Sequence, residues 1–282
     1  MTRIKALVRA ILLPVFLLFF LPAFGPGGDE ECLGPELSLQ RCDVVRPVCL
    51  EGGPRQSSPL PPSAITQVVL LGTGTPNAEP GRFGSSVAVV VNGTPYLFDA
   101  GAGVVHRANE AFINGVDGLA VKGLSRLFLT HLHTDHTVGI PDLIYTPWVL
   151  ERTTPLSIFG PQGTQEMAGH LVQAYRQDVR VRLDGQEPAN TTGHRVEATD
   201  VEPGLVYQDE NVAVTAFNVA HGDWSQAYGY RIETPDRTVV VSGDTAPTEA
   251  IVENCGGCDI LIHEVYSQAA WDRRNPEWQR YH

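Results

Sequence analysis

Apolar positions divide the chain into three stretches of different character. A run broken only by two prolines extends from Ala10 to Phe24, and a proline- and glycine-rich stretch follows over residues 26–64. From Ile65 onward, short apolar segments alternate with glycine-containing turns, which is the pattern of β-strands. The predicted strands are Val68–Leu71, Ser85–Val91, Tyr96–Phe98, Leu127–Leu129, Leu156–Phe159, Val212–Val219, Tyr228–Ile232, Thr238–Val241 and Ile260–Ile262. Helices are predicted over residues 102–114, 140–150, 163–177 and 246–254.

The order of these elements predicts an α+β domain over residues 65–282. Asn92-Gly93 between two of the strands is a hairpin signal, and Pro141 is typical of a helix's first turn. Strands that come first in hairpins and then alternate with helices predict two packed sheets with helices outside. The chain has 282 residues, of which 43% are hydrophobic, enough to form a substantial core.

The N-terminal stretch indicates export. Three basic residues, Arg3, Lys5 and Arg9, precede the apolar run, which is the order found in a secretory signal. The run is shorter than the roughly 20 apolar residues of a membrane span. No clear cleavage site follows it, so residues 1–25 are either a signal peptide or an uncleaved anchor. We expect a periplasmic or extracellular protein that meets a membrane only through this segment.

Residues 26–64 are interpreted as a linker that contains three cysteines, Cys32, Cys42 and Cys49. Export permits disulfides there, but an odd number of cysteines cannot all pair with one another. One of them could pair with Cys255 or Cys258 or remain free. The pair Cys255 and Cys258 lacks a second pair at zinc-site spacing, so a local disulfide or two small buried thiols is favoured.

Net charge limits the class of partner. The formal charge is −12, and removal of the N-terminal segment with its three basic residues would make it −15. Nucleic-acid binding depends on lysine and arginine to replace counterions, so this balance argues against a nucleic-acid partner.

The segment His131-Leu132-His133-Thr134-Asp135-His136 carries the strongest chemical signal, directly after a predicted buried strand. Alternate residues of an extended loop point the same way, so His131 and His133 can bind one metal ion. Asp135 and His136 then turn toward a second ion. Imidazole nitrogens with carboxylate oxygens favour Zn²⁺, and Mn²⁺ or iron less well. Two zinc ions are therefore expected.

Further ligands are predicted on loops that follow later strands. His221 would supply the third nitrogen to the first ion, and Asp244 would bridge the two ions. Two ions about 3.5–4 Å apart can share a water molecule and lower its pKa, which makes hydroxide the expected nucleophile. Asp135 could also orient that hydroxide. Asp99, at the end of another strand, is expected to support a ligand histidine through a hydrogen bond.

Together these motifs resemble the metallo-β-lactamase fold superfamily, and within it the branch of ribonuclease Z and the exported arylsulfatase-like hydrolases. The matching segments, in order, are Leu71-Gly72-Thr73-Gly74-Thr75-Pro76, Phe98-Asp99-Ala100-Gly101, His131 to His136, Phe159-Gly160-Pro161, His221-Gly222, Ser242-Gly243-Asp244-Thr245 and His263-Glu264. The resemblance implies a four-layer αβ/βα sandwich with the metals at one edge. It also implies cleavage of phosphodiesters or sulfate esters.

The same resemblance implies catalytic roles for His263, Glu264 and His282, the last as a proton donor to the leaving group. The family ends in a further helix and a strand that carries the last histidine ligand of the second ion. Nothing follows His282 here, so the expectation is a domain without that last helix and strand. Either the sequence is C-terminally incomplete, which is favoured and would give two ions in the complete protein, or the second ion is weakly bound or absent. Ribonuclease Z-like enzymes also hold transfer RNA with a basic arm. The comparable residues 178–210 contain eight acidic side chains and three arginines.

Three functions remain open at this stage. The favoured one is an exported zinc-dependent hydrolase of a small anionic phosphodiester or sulfate ester. The second is a different activity of the same fold: a transfer RNA 3′-processing endonuclease, a lactonase or a β-lactamase. The third is a non-catalytic metal-binding module. A homodimer is compatible with each of them.

Overall fold

Two β-sheets packed face to face form the centre of the domain. The computed structural model describes residues 65–187 and 189–281, so the predictions for residues 1–25, residues 26–64 and His282 lie outside the described part. The first sheet has six strands in sequential order: β1 Thr66–Gly72, β2 Ser86–Val91, β3 Thr94–Phe98, β4 Arg126–Phe128, β5 Leu156–Gly160 and β6 Val196–Asp200. The second has five, from edge to edge β11 Ile260–Ile262, β10 Thr238–Val241, β9 Tyr228–Glu233, β8 Ala213–Asn218 and β7 Gly204–Gln208.

Both sheets are mixed. Strands β1 to β3 are antiparallel, and the chain turns between β2 and β3 at Asn92 and Gly93, both with positive φ. From β3 to β6 the strands are parallel, so that their carboxyl ends lie at one edge of the sheet. The second sheet is antiparallel except for the parallel pair β10 and β11.

Helices complete the four layers. They are α1 Val104–Ile113, α2 Thr134–Thr137, α3 Ile140–Val149, α4 Thr164–Ala174, α5 Arg176–Asp184, α6 Glu249–Asn254, α7 Gln268–Trp271 and α8 Pro276–Tyr281. One apolar core lies between the first sheet and α1, α3 and α4, and a second fills the space between the two sheets. A small third cluster packs α6 against the outer face of the second sheet. In the part of the chain that the structure covers, no helix has the length and apolarity to cross a bilayer.

The structure confirms each predicted strand and adds β6 and β7. Neither strand contains a fully buried residue, which explains why their apolar signal is weak. The predicted helix 163–177 is wrong at its end, because the helix stops at Ala174 and a new helix begins at Arg176. Cys255 and Cys258 form a disulfide after α6, which is one of the two alternatives left open.

Residues 176–187 and 189–195 pack back onto the domain. Val179 and Leu183 of α5 contact the first core, and Trp148 donates to the carbonyl of Asn190 at 2.8 Å. The buried guanidinium of Arg152 donates to four backbone carbonyls, at distances of 2.7–2.9 Å, and one of these belongs to Gly193. These contacts hold the start of the acidic stretch 178–210 against the body of the protein.

Candidate metal centre

Loops at the ends of strands from both sheets bring the predicted ligands together. His131 to His136 follow β4, and Asp135 and His136 lie on the short helix α2. His221 follows β8 and Asp244 follows β10. Tyr228 of β9 donates its backbone N–H to the carbonyl of Thr130 at 2.8 Å, which ties the two sheets together beside the site.

Three imidazoles form the first group of donor atoms. His131 Nε2 lies 2.8 Å from His133 Nδ1, and His221 Nε2 lies 3.2 Å from the same nitrogen. His131 and His221 are buried and His133 is partly buried. The three nitrogens all lie within 4.8 Å of one another, as a single metal ion requires of its ligands.

A second group adjoins the first. It consists of His131, His136 and Asp244, with ligand atoms again within 4.8 Å of one another. His136 Nε2 lies 3.4 Å from Asp244 Oδ1 and 3.7 Å from Asp135 Oδ2. Asp244 Oδ2 is also 4.0 Å from His221 Nε2, so its carboxylate faces both groups. The structure thus brings five of the six predicted ligands into these two groups, with His131 common to both, and Asp135 lies next to the second group through His136.

Asp99 lies directly behind the ligands. Its buried carboxylate accepts the backbone N–H of Thr130 at 2.8 Å and the hydroxyl of Thr130 at 2.9 Å. His136 Nδ1 lies 2.7 Å from Asp99 Oδ2. Because an ionised carboxylate can only accept, the proton must be on Nδ1, and Nε2 is left to face Asp244. Asp99 therefore sets the orientation of His136 and holds the proton on Nδ1, so that Nε2 is the nitrogen available to a metal ion, in the manner expected of a residue that supports a ligand.

The electrostatics of the site fit divalent cations. Burial, and then the positive charge of His136, lower the pKa of His131 to about 2, so this imidazole is neutral and able to bind a metal. Burial also opposes charge on His136, but the carboxylates of Asp99 and Asp244 outweigh it and raise its pKa well above the usual value. His136 in turn holds the pKa of Asp244 low despite its burial. Asp99 is buried and Asp244 partly buried, and the nitrogen and oxygen donor set suits Zn²⁺.

Two further residues contact the ligands and were not predicted. Thr130 Oγ1 lies 3.0 Å from His131 Nδ1, and Trp224 Nε1 donates to His133 Nε2 at 2.9 Å. Thr130 precedes His131 in the chain and could have been inferred from that position. Trp224 is separated from His133 by 91 residues, and nothing in the sequence pattern links them.

Four of the six predicted ligands, His133, Asp135, His136 and Asp244, line a cavity of about 640 Å³. Its wall includes Asp135, Asp244, His263 and Glu264. His263 is exposed, and its Nδ1 lies 2.8 Å from the backbone carbonyl of Glu264. The carboxylate of Glu264 accepts the backbone N–H of Thr245, the neighbour of Asp244. The structure therefore places His263 and Glu264 beside the metal ligands, as the resemblance implies.

Comparison with known proteins agrees with this geometry. The model of the Beta-lactamase superfamily domain matches residues 94–282. The chain belongs to this superfamily. A curated member, ribonuclease Z of Mycobacterium sp. (strain KMS), is 36% identical over 201 residues, which cover 71% of this chain and 68% of the relative.

Solved structures of the superfamily share the fold. Human tRNase Z, short form, aligns with a TM-score of 0.53 and 24% identity over 73% of this chain and 81% of its own. The metallo-beta-lactamase fold protein YhfI from Bacillus subtilis aligns with a TM-score of 0.53 and 17% identity, covering 70% of each chain. The expected metallo-β-lactamase sandwich is thus confirmed. The superfamily and the similarity to ribonuclease Z make the chain a metal-dependent hydrolase that acts on ester bonds.

Proposed function

We propose that this member of the superfamily hydrolyses a small phosphodiester with two divalent ions, Zn²⁺ by preference. The observation that carries the proposal is the pair of donor groups that share His131, with His133, His136 and Asp244 of these groups on the wall of one cavity. His131, His133 and His221 would hold one ion, and Asp135, His136 and Asp244 would hold the other. When bound, such ions lower the pKa of water and stabilise charge on the reacting oxygens.

The remaining chemistry falls to side chains on the cavity wall. Asp135 is the carboxylate placed to orient the attacking water and accept its proton. Glu264 acts as a positioning residue, since it holds the backbone next to Asp244. His263 can donate Nδ1–H to the carbonyl of Glu264, which leaves Nε2 to exchange a proton with the leaving group. His282 is retained as a second candidate for that proton transfer on the strength of the resemblance alone.

Support for a phosphodiester comes from the relatives, whose name, ribonuclease Z, denotes an enzyme that cuts RNA. The negative charge of residues 178–210 favours a small substrate over a polyanion. Residues 178–210 carry eight acidic and three basic side chains, and an acidic surface repels a polyanion. The packing of α5 and Asn190 onto the core supports the same choice, because a segment held there is poorly placed to act as a protruding arm.

A substrate panel tests the proposal. Zinc-loaded protein should hydrolyse bis(4-nitrophenyl) phosphate faster than 4-nitrophenyl sulfate, a lactone or a chromogenic β-lactam. His133→Ala should abolish this activity, and His170→Ala, which removes an exposed histidine from α4, should leave it unchanged. Faster hydrolysis of the sulfate, lactone or lactam would replace the proposed substrate class. Inertness toward all four with metal bound would favour a binding module.

A transfer RNA endonuclease is the second candidate, favoured by the 36% identity to ribonuclease Z. The discriminating assay is cleavage of a precursor transfer RNA under the conditions of the panel. Efficient 3′ processing of that precursor would make the second candidate the better one.

Export is proposed from the pattern of residues 1–25 alone. Fractionation of cells that express the full chain should place it outside the cytoplasm or in the membrane fraction. Recovery of the intact chain from the cytoplasm would contradict export and leave the proposed chemistry unaffected.

A further inference from the structure

An aromatic cluster lies beside the proposed active site. Tyr266, two residues after Glu264, packs edge-on against Trp278, with ring centroids 5.0 Å apart. Trp271 of α7 completes the cluster at 5.9 Å from Trp278. The guanidinium carbon of Arg274 lies 4.4 Å from the centroid of the Trp278 ring, which is the geometry of a cation–π pair.

Part of this cluster faces the metal centre. Tyr266, Arg274 and Trp278 line the same cavity as Asp135 and Asp244. Trp271 belongs to the cluster but does not line that cavity. The two tryptophans therefore differ in their access to a bound ligand although they share the same packing.

Charge on the cavity wall is uneven. Four carboxylates line it, those of Asp99, Asp135, Asp244 and Glu264. Among the residues that the structure describes, Arg274 is the one lysine or arginine that does so, and its side chain is exposed. Apart from the imidazole of His136 among the predicted ligands, an anionic ester that enters this cavity would thus meet a protein cation at Arg274, next to the indole of Trp278.

The chemistry of this pair points to a particular ligand. An indole stacks on any nucleobase and on other planar aromatic rings. A guanidinium both stacks on rings and pairs with phosphate oxygens. We propose that Trp278 and Arg274 form a subsite for a planar aromatic substituent, an aryl or nucleobase ring, on the anionic ester. The inference rests on the proposed function, since it concerns a substituent of the same phosphodiester.

Binding of two phosphonates to the zinc-loaded protein tests the subsite without turnover. Phenylphosphonate and methylphosphonate present the same anion and differ in the ring. Isothermal titration should give wild-type protein a preference of about tenfold for the phenyl compound, the scale of one ring stacked on an aromatic side chain. Trp278→Ala should abolish that preference, and Trp278→Phe should keep most of it. Arg274→Gln should weaken both phosphonates together.

Trp271→Ala is the matched control, because it removes an indole from the same cluster but not from the cavity wall. It should keep the wild-type preference for the phenyl compound. Equal loss of preference in Trp271→Ala and Trp278→Ala would overturn the subsite and make the cluster purely structural. So would a wild-type protein with no preference for the ring. If Trp278→Ala does not fold, Trp278→Phe and Arg274→Gln are compared with wild type instead. Trp278→Phe should keep most of the preference for the phenyl compound, and Arg274→Gln should bind both phosphonates more weakly; failure of either expectation would overturn the subsite.

A kinetic assay distinguishes failure of the subsite from failure of the proposed function. Bis(4-nitrophenyl) phosphate and methyl 4-nitrophenyl phosphate have the same leaving group and differ in the second ring. Trp278→Ala should lower the ratio of their kcat/KM values by about tenfold. Hydrolysis of both diesters with no ring preference would refute the subsite alone. Ring preference in the binding assay with no hydrolysis of either diester would refute the proposed function alone.

Discussion

Asp99→Asn gives the sharpest view of how the protein prepares its ligands. The carboxylate accepts two hydrogen bonds from Thr130 and lies 2.7 Å from His136 Nδ1. An amide in its place can still accept from Thr130 through oxygen, but its NH₂ would then face Nδ1. To avoid two opposed donors, the neutral form of His136 that binds a metal would have to carry its proton on Nε2, the nitrogen that faces Asp244 at 3.4 Å. That is the nitrogen proposed to bind the second ion.

The size of the effect follows from this tautomer conflict. Loss of a residue that orients a ligand histidine lowers metal affinity by about 10–100-fold. This corresponds to about 1.4–2.8 kcal/mol, at 1.4 kcal/mol per factor of ten. The unfolding free energy of the metal-free protein should also fall by about 1.5–3 kcal/mol, the scale of a lost hydrogen bond to a charged group.

Competition for Zn²⁺ against a chromogenic chelator measures the affinity directly. Asp178→Asn is the matched control, since it makes the same chemical change to a carboxylate paired with Arg182 on the exposed helix α5. It should leave zinc affinity unchanged. An Asp99→Asn protein that binds both ions as tightly as wild type would refute the role assigned to Asp99.

Three further predictions concern the metal-free fold and its response to zinc. The raised pKa of His136 stabilises the metal-free fold, fully below pH 6.5 and less as the pH rises above that value. The lowered pKa of His131 has the opposite effect, because the fold loses stability as the pH falls below 6.5. The unfolding free energy from urea titrations should therefore peak near pH 6.5, and a steady rise or fall across that pH would contradict this. Binding of Zn²⁺ at His133 Nδ1 would leave the proton of that imidazole on Nε2, opposite the N–H of Trp224, so the hydrogen bond between them would be lost. Tryptophan emission should therefore change on zinc addition, and Trp224→Phe should suppress that change. Arg152→Lys leaves too few donors for four buried carbonyls and should cost about 1–3 kcal/mol by chemical denaturation, while an unchanged midpoint would refute that role.

The sequence predicts the ligands well because their signal is local. His131, His133, Asp135 and His136 lie within six residues, and the strand before them fixes their place at a sheet edge. Asp99 was expected to support some ligand histidine, and the structure identifies it as His136. The ligand roles of these residues remain predictions, since the geometry brings them together but metal binding has to be measured.

Contacts between distant segments are where the sequence is uninformative. The sharing of His131 between both donor groups depends on how two sheets pack, which no spacing along the chain records. The same holds for Trp224 beside His133 and for Trp278 on the cavity wall. Strands β6 and β7 were missed for a different reason, because each is only five residues long and contains no fully buried residue, so its apolar signal is weak.

Metal-dependent hydrolysis at the His131 cluster is the central claim, and a zinc titration tests it most directly. Protein stripped with a chelator should not hydrolyse bis(4-nitrophenyl) phosphate, and its activity should rise with added Zn²⁺ until about two ions are bound per chain. His131→Ala, which removes the ligand common to both groups, should remain inactive at every zinc concentration. Full activity in the stripped protein, or in zinc-treated His131→Ala, would contradict the account.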